Sequence, residues 1–204
     1  MIEKIPLDGG HPCLDFVNTV SARYPEKGAE YLNSLNDLTL WLRRVDFLAE
    51  EELRPAEREL LHAGEEFLEQ ALALREAMYS VFRDLAETND VSAEALSTFN
   101  ACLLQAYQQV QLEKTETGLR RGFRGSSRPT LPLSSSPYIP LWRLLLLAEE
   151  LLLQTDLWTR IRACPACGWL FLDKSKGGRR RWCNMQACGS QVKALRWYHK
   201  HKKE

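Results

Sequence analysis

The stretch Cys164-Pro165-Ala166-Cys167-Gly168, followed by Cys183-Asn184-Met185-Gln186-Ala187-Cys188-Gly189, decides the fold of the last part of this chain. The spacing is C-x2-C, then 15 residues, then C-x4-C. A structural zinc site needs four soft ligands that converge as a tetrahedron at about 2.3 Å from the metal, and two close pairs of cysteines can supply them. The spacing therefore predicts one Zn²⁺ bound by Cys164, Cys167, Cys183 and Cys188.

The residues around these cysteines predict a treble clef, which is a zinc knuckle, a hairpin and a helix around one metal ion. We expect residues 169–172 to form a strand, residues 180–182 to return as its partner, and a helix to run from about Cys188 to residue 200. A redox role for C-x2-C is disfavoured because no βαβ pattern surrounds it. A catalytic metal is disfavoured because four thiolates leave no position for water. Cys13 and Cys102 are isolated, and we expect them to be small buried residues.

The charges of the chain are unevenly distributed, although its 204 residues carry no net charge. Residues 160–204 contain twelve of the 27 Lys and Arg but only two of the 27 Asp and Glu. Residues 1–159 accordingly carry an excess of acidic residues. An acidic body followed by a basic, cysteine-rich tail predicts two domains, at 1–158 and 159–204, of which the second contacts a polyanion.

The basic residues of the tail fall into two groups that one zinc ion would bring together. A helix held by zinc could enter a DNA major groove while cations between the cysteine pairs contact phosphates, so duplex DNA is the expected partner. The residues expected to bind DNA are Lys174, Lys176, Arg179, Arg180, Arg181, Gln191, Lys193, Arg196 and Lys200. RNA recognition would use the same charges, and a solvated basic face is the alternative without any partner.

The first domain is predicted to be mainly α-helical. Apolar residues recur at helical spacing along four stretches, namely 34–49, 65–87, 92–103 and 134–155. The last of these is apolar nearly all round, which is typical of a central, buried helix. Pro55 suits the first turn of a further helix. Alternating polarity at Val110 and Leu112 predicts a small hairpin or irregular segment within 107–133.

Composition and motifs exclude several classes of protein. With 45% apolar and 26% charged residues, the chain is neither disordered nor collagenous. The longest apolar run, at 144–148, is far shorter than the roughly 20 residues of a membrane span, so no membrane partner is expected. The first residues lack the apolar segment of a secretory signal, which predicts a cytoplasmic protein. No phosphate loop, nucleophile elbow or H-E-x-x-H pair occurs, so we do not expect an enzyme.

Two regions of the sequence resemble known families. Residues 164–173 and 180–189 resemble the CGNR zinc finger. Residues 9–19, Gly-Gly-His-Pro-Cys-Leu-Asp-Phe-Val-Asn-Thr, resemble the opening motif of the ABATE domain, which precedes that finger in bacterial proteins. The resemblance implies a helical N-terminal domain with a fold of its own, a C-terminal treble clef, and a stress-linked transcription regulator. The finger family is named for Cys-Gly-Asn-Arg, whereas Ser190 and Gln191, which carry no charge, follow Cys188-Gly189 here.

The resemblance also implies that the helical domain binds a small-molecule ligand of unknown identity. Asp15 and Asn18 are the candidate ligand-binding residues, because a helix or extended turn over 13–20 would place them on one face. The alternative is that both side chains cap the backbone or form hydrogen bonds at the start of the domain.

These features together predict a zinc-dependent, DNA-binding transcription regulator with a ligand-sensing N-terminal domain. One small finger reads few base pairs, so a homodimer is a possible binding form. The alternative is a zinc-stabilised protein-interaction or RNA-binding module without sequence-specific DNA binding. The tail has few large apolar side chains, so we expect it to fold only with zinc and the helical domain to remain folded without zinc.

Overall fold

The computed structural model of the chain describes residues 2–48, 50–60, 62–124 and 136–202, with the side chains of all of these except 51 and 52. Its helices are α1 (Pro12–Val17), α2 (Leu35–Arg44), α3 (Glu50–Leu60), α4 (Glu65–Thr88), α5 (Ala93–Tyr107), α6 (Ile139–Leu153) and α7 (Ser190–His201). The strands of the described residues form two antiparallel hairpins, β1 (Val110–Thr115) with β2 (Gly118–Phe123) and β3 (Ile161–Ala163) with β4 (Leu170–Leu172). The predicted fold class, mainly α with a small hairpin and a finger of mixed structure, is confirmed.

Local signals explain where several helices begin and end. Ser34 caps α2, because its Oγ accepts a hydrogen bond from the backbone N–H of Asp37 at 3.1 Å. The Asp37 carboxylate in turn accepts from the backbone N–H of Asn33, which completes a reciprocal cap. Ser92 caps α5 through its Oγ, which accepts a hydrogen bond from the backbone N–H of Ala95. α4 ends at Thr88, and the φ of 55° at the following Asn89 is the left-handed conformation common just after a helix.

The core of the helical domain forms around α4 and α6. α6 packs against α1, α3, α4 and α5, which explains why it is apolar nearly all round. Leu144 and Leu145 of α6 are almost fully buried, as are Met78 and Phe82 of α4. The long apolar stripe of α4 therefore faces the same centre as the leucines of α6.

Several boundaries differ from the sequence-based expectations. Residues 180–182 do not form a strand; β4 pairs instead with β3, which precedes the first cysteine pair. Pro55 lies inside α3 rather than in its first turn, because the helix begins at Glu50. α2 ends at Arg44, five residues before the predicted end. The glycine- and proline-rich stretch 125–135, which includes the predicted start of α6, lies outside the described residues.

The finger lies directly on the helical domain. β3 packs against α4, and β4 packs against both α1 and α4. Ile161, Leu170 and Phe171 consequently belong to the same apolar cluster as Leu14 and Phe82. This shared core predicts that loss of zinc would also destabilise the part of the helical domain against which the finger packs.

Candidate metal centre and docking surface

The four cysteines of the tail converge on one point. Cys164 directly follows β3, Cys167 lies in the next turn, and Cys188 lies in the single turn Met185–Gly189 that precedes α7. All four Sγ atoms lie within 4.8 Å of one another. The Cys167–Cys183, Cys183–Cys188 and Cys188–Cys167 separations are 3.6, 3.6 and 3.7 Å. Tetrahedral metal–sulfur bonds of about 2.3 Å require sulfurs about 3.8 Å apart, so the cluster fits a metal ion.

The thiol groups strongly affect each other's ionisation. Hydrogen bonds from Cys167 and Cys183 hold the pKa of Cys164 far below its ordinary value. The same contact with Cys164 raises the pKa of Cys167 to about 12 and also raises the pKa of Cys183. Burial raises the pKa of Cys188. All four cysteines could ionise together only with a cation between them, because each negative charge disfavours the next.

Gly168 is required for both the knuckle and its docking. Its N–H donates to the Cys164 carbonyl oxygen at 2.7 Å, and its φ of 73° is strained for any other residue. A Cβ at this position would lie 2.8 Å from the Cβ of Arg23 and 3.0 Å from the backbone nitrogen of Tyr24. These two residues donate backbone hydrogen bonds to the Cys167 carbonyl oxygen at 2.6 and 3.1 Å. The knuckle is thus held against the N-terminal part of the chain.

We call residues 8–24 the docking segment, because they form hydrogen bonds along the whole inner side of the finger. The Asn18 amide donates to the Leu170 carbonyl oxygen at 2.7 Å and accepts from the Leu170 N–H at 2.9 Å. The Trp169 indole donates to the Val20 carbonyl oxygen at 2.8 Å. The Leu172 N–H donates to the Gly9 carbonyl oxygen at 2.8 Å. The docking segment therefore completes the hydrogen bonding of β4.

The docking segment also contacts the second cysteine pair. Asn184 lies between Cys183 and Cys188, and its Oδ1 accepts from two backbone N–H groups of the following turn. Its Nδ2 donates to both carboxylate oxygens of Asp8, at 3.2 and 3.1 Å. Such contacts to residues beside metal ligands orient the ligands themselves. No local sequence pattern pointed to Asp8 or Asn184, because these two residues are partners that lie 176 residues apart in the chain.

Asp15 and Asn18, the two candidate ligand-binding residues, differ in their surroundings. Both polar ends of Asn18 are occupied by Leu170. Asp15 Oδ1 accepts from the Gly9 N–H at 2.8 Å, and burial raises the pKa of Asp15 to about 6. Burial and the charge of Lys174 lower the pKa of nearby His11 to about 4. An apolar groove of about 360 Å³ lies among α4, α5 and α6, where Leu74 and Trp142 contribute to its lining. Neither Asp15 nor Asn18 lines this groove.

A buried ion-pair network behind the docking segment was also missed by the sequence reasoning. Arg75, which the helical pattern placed among apolar residues of α4, is fully buried. Its guanidinium donates to the carboxylates of Glu30 and Glu76 and to Thr19. Arg23 also donates to Glu76 and to the Val17 carbonyl oxygen. A charged residue inside an apolar stripe was the available signal, since such a residue must find buried partners.

The predicted DNA-binding residues lie mostly on the outer side of the finger. All are exposed except Arg180, which is half-buried. Lys193, Arg196 and Lys200 are spaced as one stripe along α7, which has no buried residue and packs mainly against the turn before it. Gln191 is exposed in the first turn of α7, and Ser190 Oγ donates to the Met185 carbonyl oxygen.

The fold and the site define a helical domain that carries a metal-binding finger with four cysteines. The ABATE family model, whose description reads "Putative stress-induced transcription regulator", matches residues 10–159. The CGNR zinc finger model matches residues 160–201. The chain therefore belongs to the ABATE family and carries a CGNR zinc finger, as the resemblance predicted. Neither description names an enzyme, and no curated protein matches the chain.

In the part of the chain that the structure describes, no helix has both the length and the apolar character needed to cross a bilayer.

Proposed function

We propose that the metal is Zn²⁺ and that its role is structural. The donor set supports this, because four thiolates arranged as a tetrahedron suit zinc and leave no coordination position for water. The ion would hold the two cysteine pairs together and so fix the knuckle, the loop between the pairs and the start of α7. Elemental analysis of protein purified without chelator should give one zinc per chain, and its absence would refute this assignment.

We propose that the chain is a DNA-binding transcription regulator that acts in the bacterial cytoplasm, with the finger as its DNA-binding part. The observation that carries the proposal is the outer side of the finger. There, Lys176, Arg179 and Arg181 and the stripe of α7 are exposed, and no carboxylate pairs with them among the described residues. Cations that no carboxylate neutralises are available for phosphates. The acidic body would repel DNA and so favour approach through the finger.

Binding of the zinc-loaded chain to a random DNA duplex at several salt concentrations tests this proposal. If four to six cations reach phosphates, log K should fall against log salt with a slope of roughly −3.5 to −5.5. A structured RNA of equal length serves as the competitor. Absence of any duplex affinity would exclude the proposal, and preference for the RNA would favour the RNA-binding alternative.

Sequence preference would depend on the exposed side chains of α7. Gln191 and Arg196 are the candidates, because amides suit adenine and guanidinium groups suit guanine. Replacement of Gln191 by Ala should change the sites selected from a random DNA pool more than it changes the affinity. One finger buries only about 600–1,000 Å² on DNA, so useful specificity would require a second copy of the chain on the same site.

One observation favours the alternative of a protein-interaction module. Leu195, Trp197 and Tyr198 of α7 are each at least half exposed, with Trp197 at 65%. Exposed aromatic residues are enriched where proteins meet. Trp197→Ala should impair a protein contact, including one with a second copy, and leave the affinity for duplex DNA nearly unchanged. Arg196→Ala should weaken binding to duplex DNA and leave the protein contact nearly unchanged.

Ligand sensing by the helical domain has less support. The two hydrogen bonds to Leu170 give Asn18 a docking role, which leaves Asp15 as the member of the pair that could meet a ligand. The elevated pKa of Asp15 supports its candidacy, because groups with shifted pKa values are frequent at functional sites. Thermal stabilisation of the wild-type chain, but not of Asp15→Asn, by a small molecule would support this role.

A further inference from the structure

The loop between the two cysteine pairs is held in one conformation by buried hydrogen bonds. The Asp173 side chain is fully buried. Its Oδ1 accepts from the Ser175 N–H at 2.9 Å, and its Oδ2 accepts from the Arg180 N–H at 2.7 Å. One carboxylate therefore fixes both ends of the loop. Charge-assisted hydrogen bonds of this kind are the strong ones, and their burial protects them from water.

Two arginines from the β3 side hold the middle of the same loop. Arg160 donates to the carbonyl oxygens of Asp173 and Ser175, at 3.1 and 3.0 Å. Arg162 donates to the Gly178 carbonyl oxygen at 2.8 Å. Gly178 adopts a φ of 59°, so the chain reverses there. These guanidinium groups donate to backbone carbonyl oxygens of the finger itself.

Arg180 differs from its neighbours in the loop. Its guanidinium lies 4.8 Å above the Phe171 ring and donates to the carbonyl oxygens of Trp182 and Cys183. It also reaches the Asp8 carbonyl oxygen in the docking segment at 3.4 Å. Arg180 therefore ties the loop to the metal site and to the helical domain.

The remaining cations of the loop belong to solvent-exposed side chains. Lys174, Lys176, Arg179 and Arg181 are exposed. Arg179 and Arg181 also line a groove of about 550 Å³ together with Arg162, and Glu87 at the C-terminal end of α4 lines the same groove. The loop thus separates its basic residues into those that hold its backbone and those that are exposed. Of the exposed ones, Arg181 lies 5.2 Å from the centre of the Trp182 ring.

We propose that residues 173–181 form a preformed phosphate-binding loop, in which Lys176, Arg179 and Arg181 contact nucleic-acid phosphates. Asp173, Arg160, Arg162 and Arg180 are the positioning residues that hold this loop. The inference rests on the proposed function, since it names the part of the finger that meets the backbone of the duplex. A loop ordered before binding loses little conformational entropy when it binds, which is why its order should strengthen binding.

Asp173→Asn is the decisive variant, because preorganisation and simple charge predict opposite results. Removal of a negative charge from a basic surface should tighten binding if only net charge matters. If Asp173 positions the loop, the affinity for duplex DNA should instead fall about 10-fold at low salt. The slope of log K against log salt should then fall by roughly one phosphate contact, about 0.9.

The control variants separate the two accounts. Glu87→Gln removes a carboxylate from the same groove without touching the loop, and it should leave affinity unchanged or raise it a few-fold. Arg181→Ala should lower the slope by about 0.9 as a direct contact. Arg162→Lys keeps the charge but loses the fixed geometry of the guanidinium, so it should weaken binding to duplex DNA. This variant also tests the inference if Asp173→Asn does not fold. One zinc per chain and an unchanged circular dichroism spectrum verify the fold of each variant.

The outcomes distinguish this inference from the proposed function. If the parent binds duplex DNA but Asp173→Asn and Arg162→Lys bind equally well or better, the loop is not preformed for phosphates. If the parent binds no duplex but binds structured RNA, and these variants weaken that binding, the loop inference stands while the DNA proposal fails. If the parent binds neither nucleic acid, both fail.

Discussion

The two sides of the finger differ in what their polar groups contact. On the inner side, the backbone of β4 and the knuckle form hydrogen bonds with the docking segment, and the apolar side chains join the core of the helical domain. On the outer side, the loop at 173–181 and α7 expose cations that no carboxylate among the described residues neutralises. This difference indicates that the N-terminal motif serves the finger's position, and it supports the proposal that the outer side contacts nucleic acid. Metal binding should therefore stabilise both domains.

Loss of a metal ligand should have the largest effect on this arrangement. Cys183→Ser should abolish zinc binding and lower the free energy of unfolding by at least about 5 kcal/mol, because structural zinc contributes more than this in small finger peptides. The expected decrease in melting temperature is about 10–20 °C for a chain of this size. Calorimetry measures it, with Cys102→Ser as the control that changes a cysteine outside the site. If Cys183→Ser melted in one transition at the same temperature as the parent chain, the shared core would be contradicted.

Asn18→Ala should have the next largest effect, since it removes both hydrogen bonds to Leu170 and leaves a buried N–H and C=O without partners. The expected loss is about 2–4 kcal/mol in the free energy of unfolding. Asn33→Ala is the matched control, because Asn33 is exposed and its removal should cost less than about 1 kcal/mol. Urea denaturation measures both. Equal, small losses would show that Asn18 does not hold the finger.

Asp15→Asn should have the smallest effect and the opposite sign. The pKa of Asp15 in the folded chain, about 6, lies above its ordinary value of 3.8, so the folded state loses stability as pH rises from about 4 to about 6. The amide avoids this loss, and the variant should be more stable at pH 7.5 by about 1–2 kcal/mol. The gain should be roughly halved at pH 5. Zinc content is monitored throughout. If the stability difference between Asp15→Asn and the parent did not change with pH, the raised pKa of Asp15 would be contradicted.

Cysteine spacing and helical periodicity were sufficient to predict the metal cluster, the fold class and most helices. Both signals are local, because a ligand pair or an amphipathic stripe is complete within a few residues of the chain. The docking role of Asn18 depends on Leu170, which is 152 residues away, so no local pattern could reveal it. The same limit explains the wrong prediction of a strand at 180–182. The actual partner of β4 is β3, which precedes the first cysteine pair.

The basic loop shows a second limit. Arg179, Arg180 and Arg181 are equivalent in the sequence, but only Arg180 lies over Phe171 and donates to the backbone beside Cys183. In the folded loop, where Asp173 accepts hydrogen bonds from the Ser175 and Arg180 N–H groups, Arg180 is the arginine that turns inward. Sequence reasoning could therefore predict a basic surface but not which of its cations hold the loop and which are exposed.

Hydrogen exchange of the full-length chain before and after removal of zinc by a chelator tests the central claim most directly. If the finger and the docking segment are one unit, amide protection should disappear together from residues 160–189 and residues 8–24, while α5 and the β1–β2 hairpin keep theirs. Continued protection of residues 8–24 after the finger has lost its own would contradict the account.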